Sequence, residues 1–65
     1  MTTIFEAACE IEPDDDSIKV ERLHGRLMFV GDDHEGDMQT SAVLGPDAVE
    51  KLRDALTKWL EAINE

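Results

Sequence analysis

The last third of the chain repeats apolar residues at alternating steps of three and four: Val49, Leu52, Leu56, Trp59 and Ile63, with Ala48, Ala55 and Leu60 widening the stripe. That is the period of an amphipathic α-helix. Gly45-Pro46-Asp47 marks its start. Proline at the first helical position gives up an N–H that has no partner there, and Asp47 lies against the positive end of the helix dipole. The pattern predicts a helix over residues 46 to 63.

Upstream the period drops to two, and the segments are separated by turn chemistry at Pro13-Asp14-Asp15-Asp16, His24-Gly25 and His34-Glu35-Gly36-Asp37. Four strands are predicted, near residues 3 to 12, 17 to 23, 26 to 32 and 37 to 44. Their connections are too short for crossover helices, so neighbours should pair antiparallel as a meander. The predicted class is α+β, a four-stranded antiparallel meander covered on one face by a single C-terminal helix, β-β-β-β-α.

The turns also predict register, because a slip of one residue moves every side chain to the other face. A two-residue turn at His24-Gly25 sets Val20 opposite Phe29 and Arg22 opposite Leu27. A turn at Glu35-Gly36 sets Phe29 opposite Ala42 and Leu27 opposite Leu44. A loop through Pro13 to Asp16 sets Ile11 beside Ile18 and Cys9 beside Val20. All three gather Phe5, Ala7, Cys9, Ile11, Ile18, Val20, Leu27, Phe29, Met38, Ala42 and Leu44 on one face, the natural bed for the helix stripe. The opposite face would carry Ile4, Lys19, Glu21, Leu23, Arg26, Met28, Val30, Gln39, Ser41 and Val43. Met28, Val30 and Val43 form an apolar patch there, a candidate homodimer or partner contact. Scattered apolar residues on a solvated face are the plainer account.

A chain of 65 residues makes one small domain, residues 1–65, that buries only about 60% of the surface its unfolded form exposes. With 42% apolar residues and clear periodicity it reads as globular despite its charge. Cys9 is the sole cysteine, so no internal disulfide supports the core and a reducing compartment, the cytoplasm, is expected. The start, Met1 to Glu6, lacks the basic and apolar run of a signal peptide, and no stretch approaches the roughly 20 apolar residues of a membrane span.

Charge changes the picture most. Sixteen acids against six bases leave a net charge of −10, concentrated in Glu12 to Asp16 and Asp32 to Asp37. In a four-strand meander the first and third connections lie at the same end, so both runs share a pole. The C-terminus of a helix running back over the sheet, with Glu61 and Glu65, would join them. Asp14, Asp15, Asp16, Asp32, Asp33, Glu35 and Asp37 are the candidate partner-binding residues. Two accounts fit them: carboxylates that imitate phosphates and dock on a basic, nucleic-acid-binding protein surface, or acids chosen for turns and solubility. The same charge opposes direct contact with DNA or RNA and with anionic membranes.

Metal and catalytic chemistry find little support. The run Asp32 to Asp37 lacks the alternating ligands and distant bidentate glutamate of a calcium loop, and zinc would need more than His24, His34 and a Cys9 expected in the core. A thiol on a core-facing strand is usually an inert small hydrophobe, and His24 suits a tight turn without any chemistry. No catalytic, cofactor or metal residues are assigned, and no enzyme activity is expected.

The ending from Ala42 through Gly45-Pro46-Asp47 to Leu60 resembles a strand-then-helix ending found in short proteins of bacteria and their phages. It spans about a third of the chain and contains no motif of a particular family. The resemblance implies compactness and a genomic context in which tiny acidic proteins include inhibitors of host defence, such as anti-CRISPRs and DNA mimics. The resulting expectation is a small protein-binding module, with a homo-oligomeric assembly protein as the alternative.

Overall fold

In the computed structural model, which describes residues 2–64, strands β1 (Thr2–Ala8), β2 (Asp16–Leu23), β3 (Arg26–Asp33) and β4 (Met38–Leu44) precede one helix, α1 (Pro46–Ile63). The strands form a single antiparallel sheet in the order β1-β2-β3-β4. The α+β class, the meander and the helix bounds are those the pattern predicts.

The hairpin between β2 and β3 follows from two residues. His24 and Gly25 both take positive φ, 47° and 77°. A turn left-handed at both central positions matches the right-handed twist of the flanking strands. It fixes Val20 opposite Phe29 and Arg22 opposite Leu27. In the next connection Asp33 Oδ1 accepts hydrogen bonds from the backbone N–H groups of Glu35 and Gly36, at 3.1 and 3.2 Å. This aspartate-closed turn sets Phe29 opposite Ala42 and Leu27 opposite Leu44, again as predicted.

The first connection differs from expectation. β1 stops at Ala8, and Phe5 lies opposite Val20 and Ala7 opposite Ile18, with an irregularity between Thr3 and Phe5. Cys9 and Ile11 are therefore not on the strand. The chain turns early because Glu12 accepts backbone hydrogen bonds from both Asp15 and Asp16, while Cys9 N–H donates to the Asp16 carbonyl at 2.9 Å. Cys9 is half-buried in this loop, its Sγ accepting from Glu12 N–H at 3.5 Å, and Ile11 is 89% exposed.

The core is thin. Only Val20 (8% exposed) and Val30 (5%) are buried among the described residues, one on each face of the two central strands. The helix meets the sheet through β3 and β4. Ala48, Val49 and Leu52 in its first two turns are half-buried, whereas Leu56, Trp59, Leu60 and Ile63 are exposed. The stripe expected to bed along its length on the sheet thus engages by its first half alone, and Trp59 is not a core residue. Gly45, in extended geometry with φ −81° and ψ 176°, is the only residue between β4 and α1. A one-residue link followed by a proline leaves little room to turn the helix back over its own sheet.

Candidate partner-binding pole

The β1–β2 loop and the β3–β4 turn lie at one end of the sheet and are bonded together: His34 N–H donates to the Asp15 carbonyl at 2.6 Å. At their base Asp16 and Asp33 are directly paired across β2 and β3, as are Ser17 and Asp32. Three of the acids arrive by local necessity. Asp33 closes the β3–β4 turn, Asp37 tolerates the positive φ of 52° that ends it, and Asp32 accepts a 2.8 Å hydrogen bond from Gln39 Nε2 on β4.

The side chains converge further than the loop positions alone imply. One carboxylate oxygen each from Glu12, Asp15 and Glu35 lies within 4.8 Å of the others. Glu12, which begins the first acidic run, was not among the candidate partner-binding residues, since only the early turn of the first loop carries it toward Glu35. The carboxyl of Asp16 is held above the ordinary aspartate range, first by partial loss of hydration, then by the Asp33 carboxylate and the hydrogen bond the two share, with Glu12 and Asp15 adding to it.

No ion pair among the described residues offsets this charge. Neither acidic run contains lysine or arginine, and the ion pairs among the described residues, Arg53 with Glu50 at 3.9 Å and with Asp54 at 3.0 Å, are on the helix. No hydrogen bond or ion pair among the described residues joins the helix to the two loops. Asp14, Glu35 and Asp37 are exposed; Asp15, Asp16, Asp32 and Asp33 are half-buried. A shallow groove lined by Asp32, Asp33, His34, Asp37, Met38 and Gln39 opens beside them. The arrangement is a dense, hydrogen-bond-accepting surface, suited to guanidinium and ammonium groups.

The three residues proposed for an oligomer face fare differently from one another. Val30 is buried, Met28 half-buried, and only Val43 is well exposed. No helix among the described residues is long and apolar enough to cross a membrane. No protein-family model, curated protein or solved structure matches this chain.

Proposed function

We propose that this protein is a binding module whose acidic pole docks on the positively charged surface of a protein partner, in the manner of a phosphate mimic. The observation that carries the reading is the fusion of two acidic loops by the His34–Asp15 backbone bond. It presents Asp14, Asp15, Asp16, Asp32, Asp33, Glu35 and Asp37 as one unneutralised surface instead of two independent solvated turns. A basic groove that binds nucleic acid is the partner surface whose charge and donor geometry such a cluster fits best, and electrostatic steering would raise the rate of encounter. A protein of this kind acts by occupying the groove, as phage and mobile-element inhibitors of host defence do.

The test is capture from a lysate of the source organism or its host, compared with a variant in which Asp14, Asp15, Asp16, Asp32, Asp33 and Asp37 are changed to asparagine. Capture of a basic nucleic-acid-binding protein that is released by duplex DNA or by high salt, and not retained by the variant, is the expected result. Equal capture by the folded variant would move the contact off the pole.

A further inference from the structure

Two apolar surfaces of this chain lack a cover, one on the helix and one on the sheet. One is the second half of α1, where Leu56, Trp59 and Ile63 continue the stripe and Trp59 is 60% exposed. The other is the sheet face that bears Phe5, Ile18, Phe29 and Met38. Phe5 there is 56% exposed. Gly31 and Ala42 present no bulk on the same face, leaving an open hollow bordered by Ile18, Phe29 and Thr40. Glycine inside a strand commonly marks a place where another element approaches closely.

The molecule's dimensions say how much surface is unsatisfied. A compact monomer of 7.3 kDa exposes about 4,200 Å², whereas this chain exposes 5390 Å². Its radius of gyration is 13.5 Å, against about 11 Å for a compact domain of this length. The excess of about 1,200 Å² per chain makes about 2,400 Å² for two chains, inside the range of roughly 2,000–5,000 Å² typical of obligate homodimers.

Stripe and bed belong to one chain, yet the single-residue link at Gly45 keeps them apart. We propose that a second copy of this chain covers both: the free half of each helix lies on the Phe5–Ile18–Phe29 face of the other copy, in a closed two-fold, helix-exchanged dimer. The two-fold operation satisfies both surfaces with one repeated contact, which a foreign partner would have to supply twice over. A short link that prevents intramolecular closure is the usual origin of such exchange.

Sedimentation velocity on the full chain tests the assembly, and isotope-filtered NMR of mixed labelled and unlabelled chains tests which surfaces meet. The expected results are a species of twice the 7.3 kDa chain mass and cross-chain contacts from the Trp59 indole to the rings of Phe5 and Phe29. Trp59→Glu should weaken association on the order of 100-fold, while Val43→Glu, on the opposite face, should leave the mass unchanged. A variant with four Gly and Ser residues inserted after Gly45 should become a folded monomer, its helix closed onto its own sheet. A wild-type monomer at about 100 μM, cross-chain contacts on the Val43 face, or an insertion variant that stays dimeric would each overturn the proposal. So would an open-ended series of larger species.

Discussion

Gly25 and Asp16 show how single positions hold this small fold at its limits. Gly25 has φ of 77° and no atom within 4 Å of the place a Cβ would occupy, so Gly25→Ala isolates the cost of left-handed backbone from any clash. That cost is about 1–2 kcal/mol, and each kcal/mol lowers the melting temperature of so small a domain by about 4–8 °C. Thermal melts at one fixed protein concentration should show that drop; an unchanged melt would mean the turn does not need its left-handed geometry. Asp16 works in the other direction. Its carboxyl titrates above the ordinary value of 3.8 through lost hydration and the neighbouring Asp33, so the folded state holds the proton more tightly than the unfolded chain. Its contribution to stability is therefore fully present below pH 3.8 and is lost as pH rises through the elevated pKa. Asp16→Asn should melt higher than wild type at pH 7, and the gain should vanish at pH 3, where the wild-type carboxyl is itself neutral. A variant that is less stable at pH 7 would show that the ionised carboxylate makes a favourable contact.

At the scale of the elements, the sequence is most legible where turn chemistry and face pattern constrain each other. His24-Gly25 and Asp33 fix two hairpins, and the registers of Phe29 with Val20 and Ala42 follow from them. β1 was less legible because Phe5, Ala7, Cys9 and Ile11 continue one alternation past the strand's end. The observed partner of Val20 is Phe5 and not Cys9, a shift of four residues; an even shift keeps the same face, so the face pattern cannot detect it. The acidic pole was legible from topology, but the convergence of Glu12 with Asp15 and Glu35 was not, since it depends on that early turn. For α1 the stripe says that an apolar surface must be met, not which chain supplies it. Helices rely on such packing more than on their own propensity, which gives a direct check. On dilution, the amides of residues 56 to 63 should lose hydrogen-exchange protection well before those of β2 and β3, whose central valines are buried within the sheet itself. Simultaneous loss across helix and sheet would mean the helix end is held within one chain.

For the whole molecule, a net charge of −10 per chain means that two copies must associate against mutual repulsion. An acidic pole meeting a basic surface is drawn together by the same field. Salt therefore acts with opposite sign on the two contacts. Screening shortens from about 10 Å at 0.1 M to about 3 Å at 1 M, which relieves repulsion between like chains and leaves the apolar helix-on-sheet contact intact or strengthened. The same change removes the attraction of the pole for a basic partner. Self-association measured by sedimentation should tighten as salt rises, while partner binding measured by titration in the same buffers should weaken. Tightening of both would assign the partner to an apolar surface, and weakening of both would make the self-contact electrostatic, carried by the few helix bases Lys51, Arg53 and Lys58 against the other copy's acids. Opposite slopes in one salt series would show a molecule that uses its apolar surfaces to pair and its acidic pole to bind.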